Sequence, residues 1–327
     1  MRICYIIALL LLISCGTKKE ITSNGEMCTN AIIYGENDMT KVSDAASSMQ
    51  EVSESVAGMI HSARFSVNFN NQNSDNQSYR VMITPIEQFI RDKKNMKMCN
   101  NQINRLGSAF SCTGFLVGKD LLMTAGHCLT PNNDFNSTKY RCQRYEWVFG
   151  LEKEENFYQG LTIKSENRFR CKEVLAFENS GPTDYALIKL DREVPGRKPL
   201  KMKSALSMVA EDVLYTVGFP YGSPMKISRN GKFNEIIENS SLFKTKLDTF
   251  PSFSGAPVID QRTHEVVGIH INGLSEPLEV VGNCLDFSKK CENEGDCGSS
   301  QAQRLDSISE LSNYIDTGFQ ALNSSCN

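Results

Sequence analysis

From Ser111 onward the chain consists of short apolar runs broken by turn residues, and that rhythm constrains the fold more than any other feature. Seven runs stand out: Thr113–Val117, Leu121–Thr124, Glu146–Phe149, Tyr185–Leu190, Val213–Phe219, Ala256–Ile259 and Val266–Ile271. Each has the length of a strand rather than of a helix. The polar stretch Asp260-Gln261-Arg262-Thr263 suits a hairpin turn between the last two. The spacing predicts an antiparallel sandwich or barrel. With 327 residues, 40% of them apolar, the chain can fill one large domain or two small ones. No internal repeat is visible. Near the C-terminus Ile308, Leu311, Ile315, Phe319 and Leu322 recur at three- and four-residue steps, which predicts a helix packing one apolar face on the barrel.

The N-terminus reads as an export signal. Met1-Arg2 precedes an apolar run from Ile3 to Ile13, then Ser14-Cys15-Gly16. The run is too short to span a bilayer. Leu12-Ile13-Ser14-Cys15 resembles the lipobox of bacterial lipoproteins. That resemblance implies acylation of the Cys15 thiol and a membrane anchor, to which each buried methylene contributes about 0.8 kcal/mol. The alternative is an ordinary signal cut nearby, leaving a secreted protein. Residues 16–51 form a tether and leader, and the Asn- and Gln-rich stretch from Ser66 to Gln77 a surface loop. The chain has 12 cysteines. Setting aside Cys4 and Cys15, an even number remains, which in an exported chain reads as disulfides. No paired C-x-x-C runs suggest zinc. A net charge of −3 argues against nucleic acid as a partner.

Three motifs carry chemistry. Thr124-Ala125-Gly126-His127-Cys128 follows a strand and is preceded by Ser111-Cys112-Thr113-Gly114-Phe115-Leu116-Val117. Asp184 opens the run Asp184-Tyr185-Ala186-Leu187-Ile188-Lys189-Leu190, and Ser254-Gly255-Ala256-Pro257 comes last. A hydroxyl nucleophile needs a neighbouring base that titrates near neutrality, and imidazole fits. Together, in the order His, Asp, Ser, these segments resemble the chymotrypsin/trypsin-like serine endopeptidases. The resemblance implies two antiparallel β-barrels: an N-terminal barrel over 52–198 carrying His and Asp, and a C-terminal barrel over 199–306 carrying Ser. Residues 307–327 would be the closing helix and tail. It implies His127 as general base, Asp184 as its orienter, Ser254 as nucleophile, and the backbone N–H groups of Ser252 and Ser254 as an oxyanion hole. It also implies a Cys112–Cys128 disulfide stapling the His loop. Cys142–Cys171 is the next expected pair.

Two departures matter. Ser252 stands where the family has glycine. A flipped peptide there would turn one donor away, at a cost of roughly 3–4 kcal/mol in the barrier, so a catalytically impaired protein that only binds is one alternative. Phe253 replaces the aspartate that pairs with a newly cut N-terminus in animal trypsins. Ile32-Ile33-Tyr34-Gly35-Glu36-Asn37-Asp38 is similar to the start of bacterial glutamyl endopeptidases, as is Ile269-His270-Ile271-Asn272-Gly273 to a segment of their specificity pocket. That resemblance implies a pocket lined by Thr249 and His270, suited to a glutamate carboxylate. Asp248, six residues before Ser254, is where trypsins bind Lys or Arg, so a basic preference is the rival. A structural envelope lipoprotein is a third class, and it predicts no pocket. The expectation is an exported, monomeric endopeptidase acting on proteins or peptides, with no metal or organic cofactor.

Overall fold

The computed structural model describes residues 33–34, 38–67, 77–85, 97–98, 107–130, 134–153, 160–273, 279–286, 290–291 and 298–317. The signal and lipobox, Cys15 included, lie outside them.

Twelve strands, several of them buried along almost their whole length, close into two barrels. The first is built from β1 (Val56–His61), β2 (Cys112–Leu116), β3 (Leu121–Thr124), β4 (Tyr145–Val148), β5 (Arg168–Ser180) and β6 (Thr183–Leu190). Around it the order is β1-β2-β3-β6-β5-β4, all antiparallel, closing back to β1. The second comprises β7 (Val213–Gly218), β8 (Lys226–Ile236), β9 (Leu242–Thr245), β10 (Pro257–Asp260), β11 (Val266–Asn272) and β12 (Ser300–Arg304). Its order is β7-β8-β9-β12-β11-β10, closing to β7. The two barrels therefore share one connectivity, although the sequence shows no repeat. Closure leaves no free edge within either ring.

All seven expected runs fall on strands, within two residues at each end. The other five, β1, β5, β8, β9 and β12, lie outside the expected runs. β5 and β8 are rich in charge and mostly half-exposed. β12 reads Ser-Gln-Ala-Gln-Arg, yet Ser300 and Gln303 are fully buried there. Side chains fill the rings. Trp147, Phe115, Phe169 and Met59 sit in the first barrel's core, and Phe233, Phe243, Leu214 and Val258 in the second's.

The expected C-terminal α-helix is corrected over the described residues: Leu305–Ser307 and Ser309–Asn313 are short 3-10 turns. Serine hydroxyls turn back onto carbonyls three residues earlier, Ser307 onto Arg304 and Ser312 onto Ser309, and Ile308 between the turns is extended. The apolar spacing still reports burial, because Ile308 and Leu311 are core residues. Phe319 and Leu322 lie outside the described residues.

Candidate active site

β3 ends at Thr124, and the chain turns into the short helix Gly126–Leu129, which presents His127. Gly126 is required by close approach: a Cβ there would lie 2.0 Å from the carbonyl oxygen of Glu178 on β5. Asp184, near the start of β6, holds His127 twice. One carboxylate oxygen accepts the His127 backbone N–H at 2.9 Å and the other lies 2.6 Å from Nδ1. The carboxylate thus fixes both the position and the ring orientation of the imidazole, with Nδ1 protonated toward it. A disulfide joins Cys112 to Cys128, and another joins Cys142 to Cys171.

Ser254 lies in the turn before β10, half-buried and clamped between the barrels. Its carbonyl accepts the N–H of Thr113 from the first barrel at 2.8 Å, and Cys128 Sγ lies 3.6 Å from the same oxygen. Gly255 donates to the His270 carbonyl of β11 at 2.8 Å. It has φ +87°, and a Cβ there would sit 2.1 Å from the Thr113 carbonyl, so only glycine fits. Thr113 also fixes the turn from the other side, its hydroxyl donating to the Ser252 carbonyl at 2.7 Å.

Ser252 itself has φ +75°. It adopts the left-handed backbone that glycine would take without strain. With its carbonyl tied to Thr113, the N–H groups of Ser252 and Ser254 have no acceptor among the described residues.

Thr249, Ser300 and His270 are each buried in the second barrel. The hydroxyls of Thr249 and Ser300 are 3.3 Å apart, and Ser300 also donates to the Leu247 carbonyl. His270 lies opposite Ala302 in the β11–β12 register. Burial, with His127 as a second influence, pushes its imidazole down to about 3, so it stays neutral. Among the described residues nothing hydrogen-bonds its Nδ1.

Asp248 is turned elsewhere. Its Oδ1 accepts the N–H of Tyr34 at 2.7 Å and its Oδ2 that of Asp38 at 3.2 Å. Burial raises it to about 6, against the lowering effect of those two donors.

Two residues had no sequence signal. Ser300 is one. The other is Gln303, fully buried on β12, whose Oε1 accepts the Asp184 backbone N–H at 3.0 Å across the barrel junction. Both sit in a polar strand whose pattern suggests a loop. Cys112, His127 and Cys128 are one group with metal-ligand atoms in mutual reach. The two sulfurs are bonded to each other, so neither is a thiolate, and the group is not a metal site.

Paired six-stranded barrels with His, Asp and Ser loops meeting at their junction define a chymotrypsin-type peptidase fold. Residues 112–269 match the trypsin-like peptidase domain. Among solved structures it is similar to a Glu endopeptidase at 16% identity and TM-score 0.48, covering 86% of this chain and 98% of that one. It is also similar to the Rv3671c protease of M. tuberculosis at 12% identity and TM-score 0.44, covering 89% and 90%. The Vibrio cholerae VesB protease matches at 13% identity and TM-score 0.47, covering 86% and 68%. No curated protein sequence matches the chain.

Proposed function

We propose that the chain is an active serine endopeptidase in which Ser254 attacks the scissile carbonyl. The observation carrying this reading is the double hold of Asp184 on His127, beside a Ser254 turn whose Ser252 adopts φ +75°. His127 takes the Ser254 proton through Nε2, and Asp184 stabilises the imidazolium through Nδ1–H. The oxyanion is received by the N–H groups of Ser252 and Ser254. His127 then hands the proton to the leaving amine, and water, activated by the same imidazole, releases the acyl group. The left-handed backbone of Ser252 counts against an impaired enzyme, because that conformation is what the family's glycine supplies there.

Glutamate is the proposed acyl-side residue. A buried imidazole with an orphan nitrogen is costly by itself, and a carboxylate held near His270, Thr249 and Ser300 would satisfy it. A basic preference has less support, since both Asp248 oxygens already accept backbone donors. Export, with Cys15 lipidated, completes the proposal.

Ser254→Ala and His127→Ala are each expected to abolish turnover and labelling by a serine-directed phosphonate while leaving the fold intact. Wild-type rates in either variant would sink the assignment. A peptide-library profile tests the pocket. Cleavage after Glu should exceed cleavage after Gln, which is nearly isosteric but uncharged, and His270→Leu should reduce that ratio.

A further inference from the structure

Asp248 is buried, and among the described residues no cation pairs with it. Its two partners are backbone N–H groups more than two hundred positions away, at sequence separations of 214 and 210. They belong to a segment tied down on both sides. Ile33–Tyr34 runs parallel to Lys290–Cys291, and Met39–Lys41 is antiparallel to Lys226–Ser228 of β8. Asn230 donates to the Asp38 carboxylate at 3.1 Å. The Tyr34 phenol reaches the Gly298 carbonyl at 3.5 Å and lies against Ser300, whose hydroxyl faces Thr249, the neighbour of Asp248. The titratable groups facing Asp248 are Tyr34 and Asp38, neither a counter-charge.

We propose that Asp248 is a positioning residue: it latches the N-terminal segment onto the second barrel, and the latch holds Thr249 and Ser300 in register to receive the substrate side chain. This rests on the reading that those hydroxyls belong to the specificity pocket. A buried carboxylate is tolerated only where its charge is hydrogen-bonded. Here the N-terminal segment supplies both bonds, so segment and pocket form one unit. The position that would bind a cationic side chain is occupied by the chain's own backbone.

Proline has no N–H, so Tyr34→Pro and Asp38→Pro each delete one donor to Asp248, together with the Tyr34 phenol or the Asp38 carboxylate, and Asp248→Asn removes the charge. The wild-type cleavage profile is measured first on the full chain. KM and kcat are then measured for the variants on whichever residue the wild type prefers, with amide exchange at Tyr34 and Asp38 as a readout independent of activity. Asp248→Asn and Tyr34→Pro are each expected to raise KM about tenfold, the size of a lost hydrogen bond to a charged group, with a smaller effect on kcat. The effect of the double variant should be less than the sum of the single ones, because both act on the same latch. Asp248→Asn should also speed exchange at Tyr34. Phosphonate labelling shows which variants are folded, and the three substitutions break the latch from different sides. Faster exchange with unchanged KM would overturn the proposal, as would a lower KM, which would make the segment a plug. So would selective loss of cleavage after Arg or Lys in Asp248→Asn, which would make the carboxylate a substrate ligand. A wild type that prefers a residue other than Glu refutes the glutamyl reading, while the KM test of the latch still stands.

Discussion

Ser252 combines a strained backbone with a buried hydroxyl that has no partner among the described residues. A left-handed conformation costs a non-glycine residue roughly 1–2 kcal/mol, and an unsatisfied buried hydroxyl about 1–3. Glycine gives back part of this gain through a freer unfolded chain, about 0.4–1 kcal/mol. Ser252→Gly should therefore stabilise the fold by about 1–4 kcal/mol in urea melts, with kcat kept or raised. A fall in kcat would mean that the serine side chain serves the site. Two other residues set the acid response, with opposite signs. His270 falls from its ordinary 6.5 to about 3 on folding, so between those values the unfolded chain takes up a proton that the folded chain refuses. Its contribution to stability, present above 6.5, is lost as pH falls toward 3. Asp248 rises from 3.8 to about 6, so its contribution, present below 3.8, is lost as pH rises through 6. Urea midpoints from pH 4 to 8 should show His270→Gln losing less stability than wild type on acidification. Asp248→Asn should gain on wild type as pH rises through 6. Parallel curves would refute both burial arguments. The proposed triad was legible as motifs because its segments carry fixed neighbours: glycine before His127 for the approach to Glu178, and Gly255 after Ser254. The conformation of Ser252 was not, since Thr113 imposes it from the other barrel.

Among elements, the His127 loop is short and doubly secured. The Cys112–Cys128 bridge closes 16 positions, and Asp184 grips the helix at its second residue. For a loop of that size chain entropy gives a disulfide about 3 kcal/mol. Replacing both cysteines by serine should cost about that much in a urea melt. kcat should fall less than in Asp184→Ala, because the carboxylate still orients the ring. A variant as stable as wild type would show that the bridge is dispensable. Strands with branched or aromatic residues, such as β3, β6 and β11, announced themselves. Of the five that failed to do so, three fall into two kinds. β5 and β8 turn charged side chains to water, as in the half-buried pattern of β5, so their apolar signal is diluted. β12 buries polar side chains that satisfy one another, an arrangement no hydropathy rule detects. The C-terminal turns show the converse: apolar spacing located the buried residues but not the helix type, which local serine bonds decide.

Over the whole molecule the two rings are wound identically, and the proposed catalytic groups come from both, so the junction between them decides whether the candidate site is assembled. Gln303 is the most heavily bonded side chain at that junction. From β12 its amide nitrogen donates to the carbonyls of Ser241 and Arg304 and to the Ser307 hydroxyl. Its oxygen accepts from the Ser241 hydroxyl and, across the junction, from the Asp184 backbone N–H. Leucine is close in size but accepts nothing, so Gln303→Leu orphans the Asp184 N–H, while the Ser241 and Arg304 carbonyls keep the Arg304 N–H and the Ser307 hydroxyl. Orphaned buried groups of this kind cost about 1–3 kcal/mol each, which sets the scale of the stability loss. The effect specific to catalysis is in the orientation of Asp184: a carboxylate free to tilt no longer holds His127 Nδ1 at hydrogen-bond distance. The expected result is a kcat lowered about tenfold with KM nearly unchanged, since a tilt worth about 1.4 kcal/mol in the transition state is a factor of ten. A lower melting temperature with kcat intact would make Gln303 a purely structural residue, and Asp184 would then be held by the first barrel alone.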